Sequence, residues 1–285
     1  MKKICIYGKG GIGKSTVTAN TAAAAARAGS RVLVVGCDPK ADTTRVLMHR
    51  TIGTMLDAHM KSGGTPDRED VLHQGAFGVM CMEAGGPRAG EGCAGKGISL
   101  ALDDIRELEI IEETSPDLLL FDVLGDVVCG GFSTPLRAKA ADIAYIVTSS
   151  DYMSIYAANN IAGCIKKFAL RGGCRLGGLI FNERSALADS VPVERFAKAI
   201  GTRIIGTIPM DPEISRAELH RMTVIERAYA EGRQGAVPPS VRVFEDLARF
   251  MAENDQGCIP EPLPVEELEA IGEEIARRAF GDEEF

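Results

Sequence analysis

The sequence has no hydrophobic run long enough to cross a membrane and no cluster of basic residues. Its apolar stretches fall short of the ~18 residues that a transmembrane helix requires, so we expect no membrane partner. The formal net charge is -8, and lysine and arginine form no long run, whereas binding to a phosphate backbone needs clustered cations. Nucleic acid is therefore not an expected partner.

Cysteine is present, but not in the Cys-x-x-Cys spacing typical of zinc ribbons and ferredoxins. The N-terminus reaches a glycine-rich segment too early for a signal peptide. We therefore expect a cytoplasmic protein whose eight cysteines do not form a disulfide framework. Cys5, Cys81 and Cys164 lie in apolar or helical patterns and are expected to be structural thiols. Cys93 and Cys129 differ, because each lies in a glycine-rich segment.

Short apolar runs alternate with helical segments, a pattern typical of βα units around a parallel sheet. The predicted strands are Lys3–Tyr7, Arg31–Val35, Val79–Met82, Leu118–Asp122, Ile143–Thr148, Leu176–Phe181 and Arg203–Ile208. The predicted helices are Lys14–Ala28, Ile98–Glu113, Met153–Leu170, Val193–Ala199, Glu213–Ala230, Val241–Asn254 and Val265–Phe280, and Gly85–Gly97 is a predicted loop. We expect a single α/β domain over residues 1–285, with a mostly parallel sheet, helices on both faces, and a C-terminal helix and tail over residues 264–285.

The segment between the first predicted strand and helix matches G-x-x-x-x-G-K-[ST], the phosphate loop of P-loop NTPases. Its residues are Gly8, Lys9, Gly10, Gly11, Ile12, Gly13, Lys14, Ser15 and Thr16. Glycines allow backbone N–H groups to turn toward phosphate oxygens, and the following helix start adds a favourable dipole. We expect Lys14 to bridge the β- and γ-phosphates of ATP and Ser15 to bind Mg²⁺. The alternative is a glycine-rich turn without nucleotide.

Lys9 is a second lysine in this loop and resembles the deviant Walker A motif of the MinD/ParA-like ATPases. The resemblance implies that Lys9 reaches across a dimer interface to the partner's nucleotide. A solvated loop lysine is the alternative.

Carboxylates follow two of the predicted strands, at the edge where parallel sheets bind ligands. Asp38 and Asp42 come after the second strand and can hold Mg²⁺ through water or position the attacking water. Asp122 ends an apolar strand, as a Walker B acid does, and Gly125 completes a D-x-x-G hinge able to respond to the γ-phosphate. A helix cap or a turn is the alternative role for each aspartate.

The hinge continues directly to Cys129, which suggests that ATP hydrolysis is coupled to a metal centre. Two thiolates per chain, from Cys93 and Cys129, are too few for a cubane cluster, which usually takes four. A symmetric dimer with one cluster on its two-fold axis would supply all four thiolates, two from each chain.

Six segments together resemble the nitrogenase iron protein family, which includes the dinitrogenase reductases and their nitrogenase-like relatives. They are Tyr7–Thr16, Val35–Arg45, Gly85–Gly97, Asp122–Phe132, Tyr156–Ile161 and Arg221–Glu226. The resemblance implies a homodimer with one [4Fe–4S] cluster between subunits, ligated by Cys93 and Cys129. It further implies MgATP-driven transfer of single electrons to a two-subunit nitrogenase-like catalytic protein, with ferredoxin or flavodoxin as the donor.

The resemblance also assigns roles within the nucleotide site. Asp126 matches the residue that orients or deprotonates the attacking water, so Lys9, Lys14, Asp38 and Asp126 are the candidate catalytic residues. Asn182 matches a position that contacts adenine, although an amide at a strand end is also a common turn residue.

Three segments depart from the dinitrogenase reductase pattern. Lys96 stands where those proteins usually carry an arginine that is ADP-ribosylated in some members, and lysine lacks the planar guanidinium fork. We therefore expect no arginine-directed ADP-ribosylation there. Ser150–Ile155 and Ile205–Asp211 also differ. These differences favour another acceptor, such as the partners of relatives that reduce tetrapyrroles or thioethers, while nitrogen fixation stays open.

Two other classes use the same phosphate loop. A positioning or partitioning ATPase of the MinD/ParA type needs a membrane-binding tail or a basic patch, yet the predicted C-terminal helix is acidic. An iron–sulfur or metal carrier ATPase often uses Cys-x-x-Cys or Cys-x-Cys pairs, which this chain lacks.

Overall fold

A β-sheet of eight strands runs through the part of the chain that the computed structural model describes, which is residues 1–86, 95–125, 133–137, 140–230 and 236–281. The strands are β1 (Lys2–Gly8), β2 (Val32–Gly36), β3 (His73–Gln74), β4 (Met80–Glu83), β5 (Leu118–Asp122), β6 (Ile143–Thr148), β7 (Arg175–Asn182) and β8 (Ile204–Ile208). Their order is β3-β4-β2-β5-β1-β6-β7-β8. All neighbours pair in parallel except β3 and β4.

Helices cover both faces of the sheet. They are α1 (Lys14–Arg27), α2 (Arg45–Met48), α3 (Met55–Ser62), α4 (Arg68–Val71), α5 (Gly95–Glu107), α6 (Ile110–Thr114), α7 (Tyr152–Ala169), α8 (Ser190–Ala199), α9 (Pro212–Leu219), α10 (Val224–Tyr229), α11 (Pro239–Glu253) and α12 (Val265–Phe280). One apolar core lies between the sheet and α3, α5, α7, α8 and α12, and the other lies under α1, α10 and α11. The predicted fold class is confirmed. Among the described residues, no helix is both long and apolar enough to span a membrane.

The predicted strands are present to within two residues at each end, whereas two predicted helices are each broken in two. The helix predicted over Ile98–Glu113 is α5 and α6, separated at Glu109, whose φ of 52° is left-handed. The helix predicted over Glu213–Ala230 is α9 and α10. Arg221 between them has a φ of 57°, and the Thr223 side chain accepts a hydrogen bond from the Glu226 N–H and restarts the helix.

Two further differences concern segments around the second and third predicted strands. The loop predicted to continue to Gly97 is wrong at its end, because α5 already begins at Gly95. The edge strand β3 and the short helices α2, α3 and α4 were not predicted. Cys5 and Cys81 are buried as expected, and Cys164 is half-buried on α7. The single-domain organisation stays a prediction.

A buried amide fixes the segment before the C-terminal helix. The Asn159 side chain on α7 donates to the Leu263 carbonyl at 3.0 Å and accepts from the Leu263 N–H at 2.8 Å. Asn159 thus satisfies both backbone groups of a residue that lies just ahead of α12. The neighbouring Asn160 is exposed.

We predict that Asn159→Ala lowers the free energy of unfolding by about 1–3 kcal/mol, because the Leu263 backbone groups lose their partners. Urea unfolding of both variants measures the effect. Asn160→Ala is the matched control and should change stability by less than about 0.5 kcal/mol. Equal losses in the two variants would show that the paired contact does not stabilise the fold.

Candidate nucleotide-binding site

The loop from Gly8 to Thr16 connects the end of β1 to the start of α1, as the sequence predicted. Gly11 and Gly13 adopt left-handed φ angles of 76° and 93°, which side-chain-bearing residues rarely adopt. Lys9 and Gly10 are exposed at the tip of the loop. The backbone therefore has the turn geometry of a phosphate cradle at the N-terminus of a helix.

Lys14 is buried and forms an ion pair with the last residue of β5. Its Nζ lies 3.0 Å from Oδ1 of Asp122, and the Asp122 side chain is fully buried. Burial lowers the pKa of Lys14, but the adjacent Asp122 carboxylate outweighs burial and leaves the pKa above its ordinary value. The other oxygen of Asp122 accepts a hydrogen bond of 2.7 Å from the Thr43 hydroxyl. Asp122 thus connects the phosphate loop to the segment after β2.

That segment contains both other predicted carboxylates. Asp38 is buried, and its Oδ1 accepts a hydrogen bond of 3.0 Å from the Lys40 N–H. Asp42 is exposed, four residues further on. Both carboxylates help to raise the pKa of Lys14. The structure therefore brings Asp38, Asp42 and Asp122 to one end of the sheet with Lys14.

Gly125 packs directly on the phosphate loop. A Cβ at this position would lie 2.2 Å from the Gly8 carbonyl oxygen and 2.9 Å from the Lys9 nitrogen, which is closer than non-bonded atoms approach. Gly125 is the last described residue before 126–132, so Asp126 and Cys129 lie outside the described residues. Cys93 and the Lys96 side chain also lie outside them.

Asn182 lies on the opposite side of the phosphate loop. Its amide donates to the Ile12 carbonyl at 2.7 Å, and a Cβ on Gly13 would come within 2.5 Å of that amide nitrogen. A cavity of about 300 Å³ opens beside this contact. Its lining includes Gly13, Thr16, Asn182, Arg184, Pro209, Met210, Asp211 and Glu218. This position is suitable for the nucleoside of a nucleotide whose phosphates occupy the loop.

Sequence reasoning missed Glu218 at this cavity. Its carboxylate accepts a hydrogen bond of 2.6 Å from the Thr16 hydroxyl. Glu218 lies on α9, where it looked like one of several charged residues on a helical surface. Ser15, the predicted Mg²⁺ ligand, is half-buried next to Lys14.

A family model matches residues 2–277 of the chain, and its description is 4Fe-4S iron sulfur cluster binding proteins, NifH/frxC family. The chain belongs to this family. The resemblance inferred from the sequence segments is thereby confirmed.

Curated relatives agree with this membership in the NifH/frxC family. The nitrogenase iron protein of Methanococcus voltae is 46% identical over 284 residues, which cover 98% of this chain and 100% of the relative. Nitrogenase iron protein 2 of Methanothermobacter thermautotrophicus is 48% identical over 269 residues, which cover 94% and 96%.

Solved structures with the same fold are more distant. The MinD cell division protein of Aquifex aeolicus has a TM-score of 0.64 at 22% identity, with 90% of this chain and 100% of that chain covered. A ParA family ATPase of Chlorobium tepidum has a TM-score of 0.62 at 20% identity, with 87% and 97% covered. These likenesses concern the fold alone.

Four described cysteines of this NifH/frxC family member are unsuited to ligate a cluster. Cys5, Cys37, Cys81 and Cys174 are buried, and burial raises the pKa of each thiol. A cluster ligand has to be a thiolate. These four therefore serve as apolar core residues.

A further carboxyl group, Glu83, was also missed by sequence reasoning. Glu83 ends β4 and is fully buried. Its Oε1 accepts hydrogen bonds of 2.7 Å from both the N–H and the hydroxyl of Thr44. Burial raises the pKa of Glu83 to about 8. The only sequence signal was an acidic residue directly after an apolar strand.

We predict that Gly125→Ala weakens MgADP binding about tenfold or more, equivalent to at least about 1.4 kcal/mol. The added methyl would collide with backbone atoms of Gly8 and Lys9, which cannot move aside as a side chain can. Isothermal titration calorimetry measures the affinity. Gly64→Ala, where a Cβ meets no atom within 4 Å, should bind as wild type does. Wild-type affinity in Gly125→Ala would contradict the close packing.

We predict that Glu83 makes the protein less stable as pH rises from about 4.5 to about 8. The folded chain keeps this proton up to about pH 8, whereas the unfolded chain releases it near the ordinary value of 4.5, so the free energy of unfolding falls across that window. The slope attributable to Glu83 is about 1.4 kcal/mol per pH unit in the middle of this window.

Glu83→Gln removes the titrating group and retains the acceptor oxygen. The difference in urea unfolding free energy between wild type and Glu83→Gln, measured at several pH values, isolates the effect because the other groups are common to both. A difference that does not vary with pH would show that Glu83 is ionised throughout.

Proposed function

We propose that this protein is the ATP-driven reductase component of a nitrogenase or nitrogenase-like system. Two copies share one [4Fe–4S] cluster and pass single electrons to a two-subunit catalytic partner, coupled to MgATP hydrolysis. One observation supports this most strongly. The residue that pairs with the phosphate-loop lysine, Asp122, begins a segment in which Gly125 touches Gly8 and Cys129 follows four residues later.

The described residues fit a bound MgATP. The left-handed glycines and the helix N-terminus provide N–H donors for phosphates, and the cavity beside Asn182 has room for the nucleoside. In our proposal Lys14 holds the β- and γ-phosphates and Ser15 binds Mg²⁺. MgATP supplies the free energy of hydrolysis when it is bound.

We propose the remaining roles in hydrolysis from the family resemblance and from the sequence positions of the carboxylates. Asp38 and Asp126 orient the attacking water or accept its proton, and Asp42 holds Mg²⁺ through water. The exposed position of Lys9 at the loop tip is suitable for contact with the partner's nucleotide. When a phosphate competes for Lys14, the ion pair between Lys14 and Asp122 weakens. The segments at Thr43 and Gly125, which Asp122 positions, then shift.

Cys93 and Cys129 are the proposed cluster ligands. Two thiolates per chain make four in a homodimer, the number that a [4Fe–4S] cluster takes, and four other cysteines are buried thiols. The cluster supplies one electron at a time. A ferredoxin or flavodoxin is the proposed donor, and the free cysteines among the described residues fit the reducing cytoplasm as the compartment.

The proposed acceptor is the catalytic protein of a nitrogenase or of a nitrogenase-like reductase. The curated relatives are named nitrogenase iron proteins, which favours such a partner. Lys96 keeps the positive charge of the usual arginine without its planar fork, so we propose a different partner contact at this position and expect no arginine-directed ADP-ribosylation there.

The two rival functions have weaker support. The MinD and ParA neighbours share 22% and 20% of their residues with this chain, and α12 carries acidic residues that anionic lipid would repel. A carrier ATPase would more often use paired cysteines, whereas the family model describes cluster-binding proteins over nearly the whole chain.

Two variants test the proposal, because one should lose only the cluster and the other should lose only nucleotide affinity. We predict that Cys129→Ser loses the cluster and keeps MgADP affinity within about threefold, because the nucleotide site does not need the thiolate. Lys14→Gln should keep the cluster and lose MgADP affinity by about tenfold or more, because the phosphates lose their charged partner. Iron and sulfide analysis with calorimetry under anaerobic conditions measures both quantities.

Cys258→Ser is the matched control, since Cys258 is a half-buried cysteine outside the site, and it should retain both iron and nucleotide binding. A full cluster in Cys129→Ser would overturn the ligand assignment. A colourless wild-type ATPase without iron would overturn the proposed function in favour of the positioning class.

A further inference from the structure

We propose that Glu83 is a positioning residue. Through Glu83, a movement of Thr44 on nucleotide binding reaches residues 84–86, which precede the segment that contains Cys93. This rests on the proposed function, because it concerns the same nucleotide and cluster. It adds a second connection to the one that runs from Asp122 to Cys129, so that both thiolate segments of a chain respond to nucleotide.

The connection starts at the phosphate loop. Lys14 pairs with Asp122, and Asp122 accepts a hydrogen bond from Thr43. Thr44, the next residue, donates both its N–H and its hydroxyl to Glu83 at 2.7 Å each. Thr43 and Thr44 are both buried. Two adjacent residues thus make different contacts: Thr43 contacts Asp122, the partner of Lys14, and Thr44 contacts Glu83 at the end of β4.

Close contacts surround residues 84–86, which follow β4 and precede the segment that contains Cys93. The Ala84 N–H donates to the Gly36 carbonyl at 2.8 Å, and a Cβ on Gly86 would lie 2.8 Å from the Pro39 side chain. A Cβ on Gly97 would lie 2.0 Å from the Gly85 carbonyl oxygen. The two ends that flank residues 87–94 therefore contact each other, and a shift at Ala84 reaches the start of α5.

If Glu83 and Thr44 separate, the buried carboxyl group of Glu83 is left without hydrogen bonds to the described residues. Its Oε1 receives both Thr44 donors, and its buried Oε2 has no hydrogen-bond partner among the described residues. A Cβ on Gly36 would come within 1.9 Å of that second oxygen, so the carboxyl group has no free space beside β2. When Thr44 moves, the buried carboxyl loses every partner it has here, which is unfavourable. Movement of Thr44 therefore brings movement of the β4 end.

Hydrogen–deuterium exchange of the iron-loaded dimer, with and without a non-hydrolysable MgATP analogue, tests the connection. In wild type we expect nucleotide to change exchange across residues 80–86 and 95–107 as well as 118–125. Thr44→Val keeps the shape and loses the hydroxyl, and Glu83→Leu removes the acceptor. In Glu83→Leu the nucleotide-dependent change across 80–86 and 95–107 should fall about fivefold or more, and in Thr44→Val, which keeps the backbone N–H donor to Glu83, it should fall about twofold or more.

The change across residues 118–125 should stay within about twofold of wild type, and analogue affinity within about threefold, because the Asp122 connection is intact. A residue that only supports the fold would alter both segments or neither. Thr44→Ser and Glu83→Gln retain the hydroxyl and the acceptor and should behave as wild type. Thr114→Val, which removes a hydroxyl bonded to the Ile110 carbonyl at the other end of the sheet, controls for hydroxyl loss.

Two results would count against the inference, and they are distinct. If Thr44→Val and Glu83→Leu keep the full nucleotide-dependent change across 80–86 and 95–107, Glu83 does not transmit and the proposed function stands. If wild type holds no cluster, or shows no nucleotide-dependent exchange in any of the three segments, the proposed function fails and the inference fails with it.

Discussion

The ion pair between Lys14 and Asp122 is the interaction on which the site depends. A buried pair of this kind gains little net stability, because desolvation offsets most of the attraction. The ion pair matters because of the other groups that its two residues contact. Lys14 belongs to the phosphate loop, and Asp122 also binds Thr43 and stands three residues before Gly125. A phosphate that competes for the lysine therefore acts on two chain segments at once.

The register of the parallel sheet places these groups together. Gly36 of β2 lies opposite Glu83 of β4 on one side and Asp122 of β5 on the other, so two acidic side chains end at the same level of the sheet edge. Gly36 is needed between them, because a Cβ would overlap the Glu83 carboxyl group. Burial at this end of the sheet raises the pKa of Glu83 to about 8. Glu83 is therefore mostly protonated and neutral near pH 7.

Local signals explain what could be predicted from the sequence. The phosphate loop and the apolar strand ending at Asp122 are contiguous patterns, and each was found where it was expected. Glu83 and Glu218 were missed because their partners, Thr44 and Thr16, are distant in sequence, and only the fold brings them together. The breaks within the two long predicted helices were missed for a related reason: residues there adopt left-handed φ angles that apolar spacing does not show.

The fold alone does not decide what such a site does. Structures named MinD and ParA share this architecture at about one-fifth identity, and one fold can carry different functions. In this chain two segments that leave the end of the sheet beside the phosphate loop contain the proposed cluster ligands. One passes Gly125 toward Cys129, and the other leaves β4 at Glu83 toward Cys93. Each segment begins at a group that is hydrogen-bonded to Thr43 or Thr44, so in our proposal nucleotide binding reaches both thiolate-bearing segments through this one stretch of chain.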